Sequence, residues 1–239
     1  MSSLDLIRWE APGPYEVAFT TRVGGVSEGV WASLNLGRRN GDDPERVDEN
    51  RQRLCAEVGA DADALALNFQ VHSARVHRAR AGSRGERQGD GLWTDEPGLP
   101  MVALTADCVP IALARANGVA PAVAVLHAGR IGLLAGIVES GVAALGGNGL
   151  AAAIGPAIGP CCYEVGDEVA EQFRARFGAD VVRGRRLDLW TSAERALREA
   201  GVAAVERVDL CTACVPERFF SHRRDGLPRG TQGVVAVVA

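Results

Sequence analysis

The chain of 239 residues contains no lysine, because all 26 of its basic residues are arginine. This absence excludes chemistry through a lysine Schiff base and phosphate binding by a P-loop lysine. Histidine is scarce, with 4 in the chain, and aromatic residues make up only 5%. A site built from imidazoles therefore has very few residues to draw on.

No apolar segment reaches the roughly 18 residues that a membrane-spanning helix needs, and the N-terminal segment lacks the apolar stretch of a signal peptide. We therefore expect a cytoplasmic protein without membrane contact, whose 6 cysteines are mostly reduced rather than paired in a disulfide framework. The net charge is −4 and the arginines are scattered. Nucleic-acid binding through a basic face is therefore not expected.

Short apolar runs predict an α/β fold. Three of them, 101–105, 110–115 and 121–127, are bounded by turn residues, as is typical of strands buried on both faces. The pattern also predicts strands at 15–23, 151–156 and 234–238, a strand pair over 67–80 and a surface loop at 82–91. It predicts helices at 45–58, 131–145, 165–178 and 191–202. The last of these helices is expected to be capped by Thr191 or Ser192. Strands and helices intermix, which favours a mixed sheet flanked by helices.

Three residues of the types that bind metals lie at the ends of predicted strands. They are His72, Cys108 and His127. Two imidazoles and one thiolate suit Zn²⁺, and three protein ligands leave the fourth position open for water or substrate. The same residues also fit a metal-free site in which Cys108 is the nucleophile and a histidine its base. Residue types alone leave both interpretations open, beside purely structural roles.

The CxxC motif Cys211-Thr-Ala-Cys214 lacks a convincing second pair of cysteines. Cys161 and Cys162 are adjacent, and neighbouring side chains diverge in an extended chain, which makes them a poor half of a Cys₄ zinc site. A thioredoxin-like role requires the motif to open a helix, which Pro216 disfavours. We interpret the motif as structural.

Taken together, the motifs resemble those of one family. The segments FTTRVGG, QVH, TADC, HAGRIG, AIGPAIGPCCYEVG, LDLW and FFSHRRDG occur in the order typical of the laccase-domain family, from the first strand to the C-terminus. That family contains bacterial purine nucleoside phosphorylases, some of them described as polyphenol oxidases, and relatives described as peptidoglycan editing factors. The resemblance implies one α/β/α sandwich domain with a mixed β-sheet over residues 1–239. We expect a monomer.

The resemblance also implies a site and an activity. His72, Cys108 and His127 are expected to bind one Zn²⁺, which Cu²⁺ can replace, and to form the catalytic site. The implied substrates are purine nucleosides and phosphate, with phosphorolysis of adenosine, inosine and methylthioadenosine and deamination of adenosine. The alternatives are an amidase acting on a wrongly charged cell-wall precursor and a binding protein without activity. Laccase chemistry is not expected, since several copper sites need more histidines than the 4 present.

Substrate contacts are expected from Arg22 in the TTRVGG motif, from Asp107 and from Arg223. Asp107 is also a candidate to accept a hydrogen bond from a ligand histidine. All three residues fit structural roles equally well, with Arg22 bracing its own loop.

The HAGRIG segment departs from the family form, HAGWRG. The tryptophan is missing, and Arg130 comes one position early and is followed by Ile131. In a strand or tight turn, such a shift turns a side chain the other way. We therefore expect weaker or altered activity if the family arginine binds substrate.

Overall fold

Two β-sheets packed face to face form the centre of the computed structural model, which describes residues 3–116, 118 and 120–239. In chain order the strands are β1 (Leu6–Trp9), β2 (Tyr15–Thr20), β3 (Leu67–Phe69), β4 (Val76–Arg78), β5 (Arg84–Gln88), β6 (Gly91–Thr94), β7 (Met101–Thr105), β8 (Val109–Arg115), β9 (Val123–Ala128), β10 (Leu150–Ile154), β11 (Val182–Arg183), β12 (Arg186–Leu187), β13 (Ala204–Arg207) and β14 (Gln232–Val238). The α-helices are α1 (Pro44–Glu57), α2 (Arg130–Ala135), α3 (Ile137–Ala144), α4 (Asp167–Phe177), α5 (Leu189–Glu199) and α6 (His222–Asp225).

The first sheet is antiparallel, with the strand order β1-β2-β14-β7, and the second has the order β13-β10-β8-β9-β6-β4. The second sheet is mixed, because β10 pairs with β13 and β4 with β6 in parallel while its other pairs are antiparallel. The predicted α/β fold with a mixed sheet is therefore confirmed, and the β layer of the sandwich consists of two sheets.

Strands β8 and β9 lie at the centre and are buried on both faces, as their apolar runs predicted. Alternate side chains such as Ala112 and Val125 face the first sheet. Their neighbours Ile111 and Leu126 pack against the layer of helices α2 to α5. Full burial of side chains of this size contributes about 1.5–3 kcal/mol each. Helix α1 covers the outer face of the first sheet through Leu54.

The helices differ from the sequence prediction at two places. The segment 131–145 forms two helices rather than one, because Gly136 lies between them in a left-handed conformation, with φ of 89°. Helix α5 begins before Thr191, and its cap is Asp188, whose carboxylate accepts hydrogen bonds from the backbone N–H and the hydroxyl of Thr191 at 3.0 and 2.8 Å. Neither Thr191 nor Ser192 is therefore the cap. Helices α1 and α4 lie where they were predicted, and α4 ends at Phe177, with Gly178 as its C-terminal cap.

The prediction of a surface loop at 82–91 was wrong, because Arg84–Gln88 forms β5 and pairs in parallel with β3. Most of its side chains are exposed and polar, so the pairing is made by backbone groups that composition does not reveal.

The predicted strand pair over 67–80 is also wrong. Strands β3 and β4 are present but bind to β5 and β6, respectively, and the loop between them carries His72. The first predicted strand ends at Thr20, before 23.

Strand register brings three loops to one edge of the second sheet. His127 on β9 lies opposite Pro110 on β8, which places Cys108 beside the end of β9. Leu126 lies opposite Gly91 on β6, so the loop before β6 reaches the same edge. No helix in the described part of the chain is long and apolar enough to cross a membrane.

Candidate metal and substrate site

His72, Cys108 and His127 converge at this edge of the sheet. Their potential ligand atoms all lie within 4.8 Å of one another, with Cys108 Sγ 3.8 Å from His72 Nε2. The two imidazole rings lie 4.7 Å apart, centroid to centroid. His127 is buried, whereas His72 is exposed, so the group opens to solvent on one side. Two imidazoles and a thiolate with an open side fit a catalytic Zn²⁺ or Cu²⁺ site.

The backbone at the site is held in a strained conformation. His72 has φ of 61° and Asp107 has φ of 88°, a region that costs about 1–3 kcal/mol for residues other than glycine. The side-chain amide of Gln70 accepts a hydrogen bond from the Leu104 N–H at 2.8 Å and donates one to the Leu104 carbonyl at 2.7 Å. This double contact fastens the His72 loop to the end of β7.

Asp90 is the residue that sequence reasoning missed. Its side chain is buried, and its carboxylate accepts hydrogen bonds from the backbone N–H groups of Val71, His72 and Ser73 and from the Ser73 hydroxyl, at 2.6 to 3.2 Å. It also accepts one from His127 Nδ1 at 2.8 Å. One carboxylate thus holds both histidine segments and leaves His127 Nε2 available as a potential ligand nitrogen. An acid between two glycines just before an apolar strand was the available signal.

The charges of the site keep Cys108 as a thiolate and keep a proton on His127. Burial raises the pKa of the Cys108 thiol, but the positive charge of His127 and hydrogen bonds from both imidazoles outweigh it and lower the pKa to about 6. Burial lowers the pKa of His127, but the Cys108 thiolate and the Asp90 carboxylate outweigh it and raise the pKa to about 9. The metal-free site therefore holds a thiolate beside an imidazolium whose proton a metal ion displaces.

Gly129 lies directly against two of the three donors. A Cβ atom at this position would lie 2.8 Å from His72 Cδ2 and 2.9 Å from Cys108 Sγ. The backbone there, with φ of −78°, accepts any residue. The glycine of the HAG motif is thus required by space and not by conformation.

The three residues predicted to contact substrate all make hydrogen bonds within the protein. Arg22 donates to the carbonyls of Ala32 and Pro216 at 2.6 and 3.0 Å. Asp107 accepts from the Thr212 hydroxyl and from the Arg223 backbone N–H, both at 2.6 Å. The carboxylate that contacts a histidine is therefore that of Asp90 instead of Asp107.

Arg223 extends over the ring of Tyr163 at 5.1 Å and donates to the Glu164 carbonyl at 3.0 Å. Burial raises the pKa of Tyr163, the Cys108 thiolate raises it further, and Arg130 and Arg223 oppose this. The phenol consequently lies near the metal-ligand group, and Arg223 helps to position it.

Arg229 was also missed, and the described residues offer its guanidinium Nε no hydrogen-bond partner. Its Nε is buried without a hydrogen bond. Burial lowers the pKa of Arg229, and the negative charges of Asp107 and Cys108 act in the opposite direction. These two groups therefore lie near the guanidinium, which remains charged at any physiological pH.

Arg130 and Ile131 begin helix α2 rather than lying in a strand or tight turn. A one-position shift on a helix rotates a side chain by about 100°, so the expected reversal of direction does not apply. The positive charge of Arg130 acts to lower the pKa of Tyr163, whereas Ile131 is 51% exposed. The early arginine therefore still contributes to the electrostatics of Tyr163.

Comparison with known proteins identifies the family. The chain belongs to the family described as multi-copper polyphenol oxidoreductase laccase, which matches residues 16–239. Purine nucleoside phosphorylase YfiH of Escherichia coli is 36% identical over 233 residues, covering 94% of this chain and 95% of that protein. A purine nucleoside phosphorylase of Deinococcus radiodurans is 41% identical over 228 residues, covering 91% and 87%. The crystal structure of YlmD from Geobacillus stearothermophilus superposes with a TM-score of 0.89 at 32% identity, covering 100% of this chain and 97% of that one.

Replacing Gly129 with alanine tests whether the site lacks room for a side chain. We expect Gly129→Ala to weaken Zn²⁺ binding by at least about 10-fold, because the new methyl group displaces His72 and Cys108. Gly166→Ala is the matched control, since no atom lies within 4 Å of a Cβ there and its φ of −71° accepts alanine. Calorimetric titration of the metal-free proteins measures both, and equal affinities would contradict the steric argument.

Replacing Asp90 with asparagine tests the carboxylate that joins the two histidine segments. We expect Asp90→Asn to weaken metal binding by about 10- to 100-fold, since the amide cannot accept all of these hydrogen bonds. Asp95→Asn, at an exposed ion pair with Arg78, serves as the control and should bind metal as the parent does. An unchanged affinity in Asp90→Asn would show that His127 is positioned by other contacts.

Proposed function

We propose that the chain is a metal-dependent purine nucleoside phosphorylase that cleaves adenosine, inosine and methylthioadenosine with phosphate and also deaminates adenosine. The observation that carries this proposal is an open group of two imidazoles and one thiolate whose negative charge acts on Arg229, a half-buried arginine whose Nε has no partner in the described part of the chain. The names of the relatives in E. coli and D. radiodurans support the phosphorolysis of purine nucleosides in this proposal.

Phosphate binding is assigned to Arg229. Arg229 is half-buried, and its buried Nε has no partner among the described residues, so part of its solvation is lost and an anionic ligand restores that loss. Guanidinium groups bind phosphate through two parallel hydrogen bonds, and the chain contains no lysine to take this role. Arg130, exposed at the start of α2, supplies a second positive charge.

Metal binding is assigned to His72, Cys108 and His127. These residues would hold a divalent ion, which would supply Lewis-acid chemistry toward a phosphoryl oxygen or a water molecule. Zn²⁺ is the proposed resident ion, and Cu²⁺ is a replacement that the same donor set accepts. Asp90 keeps His127 in the tautomer that presents Nε2 to the ion.

Nucleoside binding is assigned to the space beside Tyr163. In phosphorolysis the C1′–N9 bond breaks and a phosphate oxygen bonds to C1′, which yields ribose 1-phosphate and the free base. The departing base becomes more basic and needs a proton or a hydrogen-bond donor. A phenol is protonated at neutral pH at its ordinary pKa of about 10, and burial raises the pKa of Tyr163 further, so its hydroxyl can donate to the base.

Product analysis tests the reaction directly. We expect the zinc-loaded protein to convert adenosine to adenine and ribose 1-phosphate only when phosphate is present, and to inosine in its absence. Cys108→Ala should abolish both reactions, because it removes a metal ligand. Cys55→Ala, on the buried face of α1, should retain them. If the metal-loaded parent forms none of these products, the proposed function is wrong and amide hydrolysis of cell-wall precursors is the next activity to assay.

Kinetics of arginine variants test the phosphate site. We expect Arg229→Gln to raise the KM for phosphate by about 10- to 100-fold, the loss typical of a hydrogen bond to a charged group, with little change in the KM for nucleoside. Arg22→Gln provides the comparison: its guanidinium contacts only backbone carbonyls and an aromatic ring, so it should lower the melting temperature without raising the KM for phosphate selectively. The reverse pattern would return Arg22 to the substrate site.

A further inference from the structure

Four cysteines form a second cluster outside the site described above. Cys161 and Cys162 lie in the loop that follows β10, and Cys211 and Cys214 lie in the loop that follows β13. All four Sγ atoms lie within 4.8 Å of one another. Those of Cys161 and Cys162 are 3.5 and 3.3 Å from that of Cys214.

A tight turn removes the objection to adjacent cysteines. The backbone N–H groups of Cys162 and Tyr163 both donate to the carbonyl of Gly159 at 3.0 Å. The chain is therefore not extended at Cys161-Cys162, and both side chains point toward Cys214. The expectation that these neighbours diverge was wrong because it assumed extended chain.

We propose that Cys161, Cys162, Cys211 and Cys214 bind a second metal ion, a tetrahedral Zn²⁺ with four thiolate ligands. Zn–S bonds of about 2.3 Å place the sulfur atoms of a tetrahedron about 3.8 Å apart. The observed spacing brackets this value, so the ion requires only small side-chain movements. Four protein ligands leave no open position, which defines a structural site.

Disulfide pairing explains the cluster less well than metal binding. Cys161 and Cys162 approach the same partner, Cys214, at nearly equal distances, so a disulfide to one of them leaves the other without its contact. A single ion satisfies all four sulfur atoms at once. Soft thiolate sets of this kind select Zn²⁺ or an iron–sulfur cluster.

The surroundings stabilise the negative charge that four thiolates bring to the ion. The Gly159 N–H donates to Cys211 Sγ at 3.3 Å. Arg223 and Arg224 donate to the carbonyls of Cys162 and Thr212 at 3.5 and 2.9 Å, respectively. Backbone donors and nearby guanidinium groups are the outer contacts that thiolate metal sites require.

An ion in this cluster would fix two loops that also reach the His72–Cys108–His127 group. Tyr163 follows Cys162 directly, and the hydroxyl of Thr212, inside the CxxC motif, donates to Asp107 at 2.6 Å. The first loop carries the phenol near Cys108, and the second holds the turn that carries Cys108. The cysteine cluster is therefore a positioning element for the other site, and its ion does not contact substrate.

Metal counting in variants separates the two sites. We expect about two zinc ions per chain in the parent, one in Cys108→Ala, one in the double variant Cys161→Ser/Cys214→Ser, and none in the triple variant, measured by mass spectrometry of the metal after purification under reducing conditions. Cys161 and Cys214 are exposed, so serine there disturbs little packing. Cys55→Ala, buried elsewhere, should keep the parent content.

Zinc X-ray absorption of the Cys108→Ala protein tests the ligand set. We expect sulfur scatterers alone at about 2.3 Å, and a melting temperature in the double serine variant lower by on the order of 5 °C. The proposal is overturned if Cys108→Ala retains no metal, if it holds an iron–sulfur cluster, or if its mass shows a disulfide within the cluster. These outcomes do not depend on nucleoside turnover, so they are distinct from failure of the proposed function.

Discussion

The buried carboxylate of Asp90 is the group on which the geometry of the candidate site depends. Burial raises the pKa of Asp90, yet hydrogen bonds from His127 and Ser73 hold it well below its usual range. The carboxylate is consequently ionised and unable to donate, and its two oxygens are committed to the turn at His72 and to the ring of His127. The hydrogen bonds to this carboxylate hold the His72 loop against β9 and offset the strain of the His72 backbone.

The contacts of Asp90 also explain which residues of the site could be predicted from the sequence. His72, Cys108 and His127 were identifiable because their residue types bind metals and because each follows an apolar run that reads as a strand. Asp90 was not, because an acid in a Gly-rich segment is ordinarily exposed and the segment itself was expected to be a loop. Its role follows from the pairing of β6 with β9, a contact between distant parts of the chain that local patterns do not encode.

The arginines show a second limit of sequence reasoning. Arg22 and Arg223 stand in recognisable motifs, yet their guanidinium groups are largely occupied by backbone carbonyls and aromatic rings. Arg229 stands in no predicted motif, yet its buried Nε has no hydrogen-bond partner in the described structure, and the charges of Asp107 and Cys108 act on it. In a chain whose cations are all arginine, residue type cannot distinguish a bracing group from a binding group. Only the count of satisfied hydrogen bonds in the folded protein makes that distinction.

The fold was predictable where burial dominates and unpredictable where backbone pairing or turn geometry dominates. The central strands β8 and β9 are apolar because both of their faces are covered, so the sequence pattern predicts them. No sequence pattern predicts the turn at 159–162, although this turn brings Cys161 and Cys162 to one side and forms the second cluster. Asp107 lies between the two groups, with Cys108 next to it in the chain and Thr212 of the CxxC motif bonded to its carboxylate. Its strained backbone therefore links the two groups of potential metal ligands.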